Sequence, residues 1–326
     1  MAAGRAWAAV LVAVLAAALV VAAIVLAADY RRELRAQQAR VQAGSRLQPT
    51  ACGPVELAET GPPQGPVLLV LHGSGGGFDQ GLALAADFAP PGWRILAPSR
   101  FGYLRTPWPA DPSAEGQADH LACLLDALGI ARVAVMGVSA GGVPALHFAV
   151  RHPQRLQALV LVVPAVYRPD PAVPLPGWAL RLLDATVSAD LPFWLLARLA
   201  PQTARRLVLA TPPEAYAAAP PEEQRRADAM LAQIQPVSRR RLGLLNDSRL
   251  TTGAARVALE SIRVPTLCIS AQDDGFGTFA SAQYSAAHIP GARFVGFEQG
   301  GHLLLGHREA VRQAIAGLLQ GLPYAP

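Results

Sequence analysis

The 326-residue sequence contains no lysine; its 28 basic side chains are all arginine. A phosphate-binding loop of the G-K-[ST] type is therefore excluded, because the lysine it requires does not exist in this chain. Cysteine is scarce, with only Cys52, Cys123 and Cys268 present. They show no metal-ligand spacing and no disulfide framework, so neither a metal site nor a cystine scaffold is expected. Charge is thin as well, at 16% of residues, and the net +5 is spread along the chain. The single basic run, Arg239-Arg240-Arg241, reads as a solvated helix face, which leaves no patch for nucleic acid. Arginine in place of lysine accompanies many alanines and prolines and points to a GC-rich coding sequence.

What the chain does have begins at its N-terminus. The 22 residues from Trp7 to Ala28 carry no charge, enough to span a hydrocarbon core as a helix. A cleaved signal peptide is the alternative, since Val25-Leu26-Ala27 resembles a small-residue cleavage site. Arg5 lies before this span, and Arg31, Arg32, Arg35 and Arg40 follow it. The arginine excess favours keeping the C-terminal side in the cytoplasm, whereas a signal anchor would place it outside, so the side stays open.

Further on, Arg132 to Met136 is an apolar, β-branched run that reads as a buried strand. It leads into Gly137-Val138-Ser139-Ala140-Gly141, a G-x-S-x-G, and then into a helical pattern with Pro144 in its first turn. A serine on a sharp strand-to-helix turn is what nucleophilic catalysis requires, because the turn lifts its hydroxyl above the sheet. Upstream, the strand pattern Val67–Leu71 runs into His72-Gly73-Ser74-Gly75-Gly76-Gly77. A glycine-rich loop there lets backbone N–H groups approach a developing oxyanion. Downstream, Pro265 to Ser270 reads as a strand ending at Asp273-Asp274, and Ala292 to Phe297 as one ending at Gly300-Gly301-His302. Helical stripes lie between the strands, a rhythm that argues for a doubly wound, mostly parallel sheet.

The rhythm breaks between residues 164 and 250. Prolines cluster at 169, 171, 174 and 176 and again at 212, 213, 220 and 221, with apolar helical patches between them. This reads as a helical cap over the sheet, with Trp178, Phe193 and Trp194 as candidates to face a substrate. The expected organisation is an anchor or uncleaved signal at 1–28, a charged stalk at 29–52, an α/β core at 53–163 and 251–326, and the cap at 164–250.

Ligands of open parallel sheets sit beyond the carboxyl ends of the strands, and four features fall at such ends in the order oxyanion loop, Ser, Asp, His. From about Gly53 to Leu319 the chain resembles the α/β-hydrolase superfamily. The carriers are HGSGGG, GVSAG, PTLCISAQDD and GGH, each after a strand. The resemblance implies Ser139 as nucleophile, His302 as general base and Asp274 as the acid that orients it, with Asp273 as the alternative. It implies an oxyanion hole from the backbone of Ser74 and Ala140 with Gly75 close by, and a structural role for His72. It implies no cofactor and a small-molecule substrate, most simply an ester of small to medium size. Carbon–carbon bond hydrolysis, cofactor-free haloperoxidase chemistry and a non-catalytic ligand-binding role are the alternatives within the same fold.

Overall fold

The computed structural model describes residues 2–170, 176–320 and 322; Pro171 and Pro174 of the first proline cluster lie outside them. In chain order the elements are α1 (Ala2–Ala43), β1 (Arg46–Gln48), β2 (Val55–Thr60), β3 (Val67–Leu71), α2 (Phe78–Phe88), β4 (Arg94–Pro98), α3 (Ala114–Ala127), β5 (Val133–Val138), α4 (Gly142–Arg151) and β6 (Leu156–Val162). Six helices follow: α5 (Gly177–Val187), α6 (Asp190–Leu199), α7 (Pro201–Val208), α8 (Pro213–Ala218), α9 (Pro221–Gln233) and α10 (Arg241–Thr252). The chain then closes with β7 (Thr266–Ala271), α11 (Thr278–His288), β8 (Arg293–Phe297) and α12 (Arg308–Leu319).

The strands form one eight-stranded sheet in the order β1-β2-β4-β3-β5-β6-β7-β8. Pairing is parallel from β4 to β8, and antiparallel only where β1 and β2 join the edge. The central strands are apolar on both faces because helices cover both. Successive side chains alternate between the two layers. Leu68, Val70, Ala134 and Met136 pack with α2, α12 and the cap, while Leu69, Leu71, Val133 and Val135 pack with α3, α4 and α11. The cap, α5 to α10, enters between β6 and β7, so it sits over the carboxyl ends of the strands.

Three expectations are corrected. Residues 29–52 are not a separate stalk: α1 runs unbroken to Ala43, Val41 is buried, and β1 already pairs with β2 inside that range. Cys52 and Cys123 form a disulfide across 71 residues, with Cα atoms 6.0 Å apart. No local spacing announces a link made by tertiary proximity. Cys268 is free and buried, and burial pushes its thiol up to about 12. Arg240, in the middle of the basic run, is fully buried rather than solvated. Its guanidinium closes on the carboxylate of Asp79 at 2.7 Å, a partner 161 residues away.

Candidate active site

Ser139 follows directly on β5 and has φ of +53°, a left-handed conformation that costs a non-glycine residue roughly 1–3 kcal/mol. The turn holds because its glycines leave no room for anything larger. A Cβ on Gly141 would stand 2.2 Å from the carbonyl oxygen of Leu71, and one on Gly137 would stand 2.7 Å from that of Gly141. Ala165 N–H donates to the Ser139 carbonyl at 3.0 Å. The chain winds through one tight turn, Ser139–Gly141, into α4.

The facing loop is built on His72. Its Nδ1 lies 2.8 Å from the Gly73 carbonyl, and its Nε2 accepts the Arg100 backbone N–H at 3.0 Å, so the proton sits on Nδ1. Burial, aided by the Arg100 cation, holds its pKa well below the usual histidine value, and the ring is neutral. Gly73 N–H donates to Gln80 Oε1 at 2.8 Å. The N–H of Gly75 donates to the Tyr103 hydroxyl at 3.3 Å. That contact engages the Gly75 donor within the loop.

At the end of β7, Asp274 is 5% exposed and accepts from His302 Nδ1 at 2.8 Å and from Phe276 N–H at 2.9 Å. Thr278 Oγ1 also donates to it, and that hydroxyl is shared with Ser270 Oγ at 2.9 Å. Burial disfavours the charged carboxylate, but the His302 imidazole and these hydrogen bonds outweigh it and hold its pKa below the usual range. Asp273 does something else: it takes the N–H groups of Gly300 and Gly301 at 3.1 and 2.8 Å. Phe276 stands edge-on to the His302 ring at 4.8 Å between centroids.

Ser139, Ser74 and His302 open onto one cavity of about 640 Å³. Leu84, Phe88, Leu209, Met230 and Leu303 supply apolar wall. Arg226 also reaches it, but Asp87 and Glu223 neutralise that guanidinium at 3.2 and 2.8 Å. The cap aromatics are not brought there. Trp178 is 69% exposed. Phe193 and Trp194 are buried beside α1, where Trp194 Nε1 donates to Glu33 Oε2 at 2.6 Å and its ring meets Tyr30 at 5.4 Å. An apolar helix face must be covered, but its sequence does not say by what.

Sequence reasoning missed the groups that fix the glycine-rich loop after β3. Arg100 grips Asp247 of α10 through both terminal nitrogens, at 2.7 and 2.6 Å, and both side chains are 3% exposed. Asp247 also accepts from Tyr103 at 2.6 Å and from Ser74 Oγ at 3.1 Å. On the other flank, Arg240 donates to the Gly76 carbonyl while pairing with Asp79, and Arg40 of α1 joins the same carboxylate. The only sequence signal was that Arg100 and Tyr103 follow a strand end.

The comparisons agree with this architecture. A family model described as alpha/beta hydrolase fold matches residues 66–307. A pimeloyl-[acyl-carrier protein] methyl ester esterase of Aromatoleum aromaticum is 31% identical over 264 residues, covering 78% of this chain and 99% of that protein. A 2-hydroxy-6-oxo-6-phenylhexa-2,4-dienoate hydrolase of Comamonas testosteroni is 30% identical over a shorter stretch, 37% of this chain and 44% of its own length. The solved structure of an alpha/beta hydrolase fold protein from Nakamurella multipartita superimposes with a TM-score of 0.67 at 29% identity, covering 85% of this chain and 99% of that one. With the family model spanning β3 to β8, the elbow and the Asp and His loops, the chain belongs to the alpha/beta hydrolase fold family.

Proposed function

We propose that the protein is a serine hydrolase acting on small to medium esters through an acyl-enzyme. The observation that carries this is the Asp274–His302 hydrogen bond at 2.8 Å, opening on the cavity that also holds Ser139 at its strained turn. Ser139 Oγ attacks the ester carbonyl while His302 Nε2 takes its proton. Asp274, ionised because its pKa lies below the usual range, stabilises the imidazolium that forms. The backbone N–H groups of Ser74 and Ala140 receive the oxyanion. His302 then protonates the departing alkoxide, and water, activated by the same histidine, releases the acid.

The ester reading is favoured over carbon–carbon cleavage by coverage. The methyl ester esterase aligns along 99% of its length, the dienoate hydrolase along 44%. Reaction with a fluorophosphonate tests the mechanism: one adduct on Ser139, absent in Ser139→Ala, supports it, and near-wild-type turnover of folded Ser139→Ala overturns it. A panel of ester chain lengths run beside a vinylogous diketone then separates the two chemistries.

The same reading places the apolar span from Trp7 to Ala28 in a membrane. Support comes from a helix long and apolar enough to cross one, with none of that window buried against the protein. The Cys52–Cys123 disulfide favours an oxidising compartment for the domain, against the arginine asymmetry. Resistance to carbonate extraction tests the anchor; a soluble product beginning near Ala28 overturns it.

A further inference from the structure

Three cap helices turn the same kind of side chains outward. α5 exposes Trp178, Arg181 and Leu182; α6 exposes Arg198 and Leu199; α7 exposes Arg206 and Leu207. Trp178 and Leu182 are four residues apart and share a helix face. Among the described residues none of these three arginines has an ion-pair partner, whereas their neighbours Arg205 and Arg241 are tied to Asp228 and Asp184. Large apolar groups beside unpaired arginines are the composition of a membrane-interface surface.

Helix α1 fixes the height of α6, the middle helix of the three. Its positions 26, 29, 30, 33, 34, 37, 38, 40 and 41 are partly or fully covered by the rest of the protein, and residues 10–25 before them are bare. Leu26 lies two residues inside the uncharged span, about 3 Å along the helix axis. The folded body therefore reaches the end of the span itself. Helix α6 is the element there, held by Trp194 to Tyr30 and Glu33. Glu33 is five residues past Ala28, about 7.5 Å, which is headgroup depth when the hydrocarbon boundary falls at Ala28.

We propose that the outer face of α5, α6 and α7 rests on the anionic leaflet of the membrane that α1 enters. Trp178, Leu182, Leu199 and Leu207 occupy the interfacial layer, and Arg181, Arg198 and Arg206 meet lipid phosphates. The proposal rests on the reading of α1 as a membrane anchor. It gives the cap a two-sided design: Leu207 faces lipid, while Val208 and Leu209 beside it line the cavity.

The test uses the full chain reconstituted in vesicles of phosphatidylcholine and phosphatidylglycerol. A nitroxide on Leu199→Cys is compared with one on Asp126→Cys, at the end of α3 that leads to the start of β5, away from the cap. Cys268 is buried and the other two cysteines are bonded, so labelling is selective. At 199, collisions with oxygen rise and collisions with an aqueous nickel chelate fall relative to 126. Replacing Arg181, Arg198 and Arg206 by Gln, or omitting phosphatidylglycerol, narrows that difference. Equal nickel access at both sites in vesicles that resist carbonate overturns the proposal and leaves the anchor standing. Loss of the protein to carbonate overturns both. Spin–spin broadening at 199 that persists at high lipid dilution shows a second copy on this face and overturns it too.

Discussion

Asp273 and Asp274 are neighbours at the end of β7, yet they hold the His302 loop by different means. Asp274 accepts from the imidazole itself at 2.8 Å. Asp273 clamps the two glycine N–H groups that precede it, at 3.1 and 2.8 Å. One carboxylate holds the ring through its Nδ1; the other sets where the backbone delivers it.

Asp274→Asn is therefore expected to lower kcat by about four orders of magnitude, as when a triad acid loses its charge. Asp273→Asn acts only through the turn and loses far less. Steady-state kinetics on one ester, with circular dichroism to check folding, decides between them. A larger loss in the 273 variant would reverse the assignment.

The Tyr103 hydroxyl links the glycine-rich loop after β3 to the cap, taking the Gly75 N–H and donating to Asp247. Tyr103→Phe is expected to reduce kcat by about ten- to a hundredfold with little change in KM, since a misplaced loop weakens transition-state contacts first. Asp247→Asn leaves the buried Arg100 without its counter-charge and is expected to cost about 3–5 kcal/mol of stability, read as a lower Tm. An increase in KM at constant kcat in Tyr103→Phe would assign the network to substrate binding instead.

Acid stability follows from Asp79. Burial opposes its charge, but Arg240 and Arg40 overcome that and lower its pKa from 3.8 to about 2. A depressed carboxylate pKa contributes stability above the unfolded value that is lost as pH falls through the folded one. The contribution, about 2 kcal/mol, is thus complete above pH 3.8 and disappears toward pH 2. Urea unfolding between pH 5 and 2 should show a shallower acid limb in Asp79→Asn. Parallel limbs in the two proteins would show that this pair does not govern it.

On the proposed hydrolase reading, substrate selection falls to the cavity wall. Met230→Ala and Leu209→Ala are expected to shift the kcat/KM ratio between short and long acyl esters by about 10- to 200-fold. Trp194→Ala should leave that ratio flat and lower Tm, because its ring and Nε1 serve Tyr30 and Glu33 of α1. A changed ratio in the Trp194 variant would put the α1–α6 contact in communication with the site.

The sheet, the elbow and the loop positions were legible in the chain because each is a local consequence of chemistry. Strands buried on both faces must be apolar throughout, a serine at positive φ needs glycines around it, and sites of such sheets fall at strand ends. Of the two acidic candidates, the resemblance to the family's strand pattern, counted from Pro265, pointed to Asp274, the one that accepts from His302. What only the tertiary structure decided are relationships between distant segments. Arg240 looked solvated until Asp79, 161 residues away, was brought against it. Cys52 found Cys123 across 71 residues. Phe193 and Trp194 were apolar enough for a substrate wall, and α1 took that face instead. Periodicity records that a side chain must be covered; the covering partner is chosen by the packing of the whole chain.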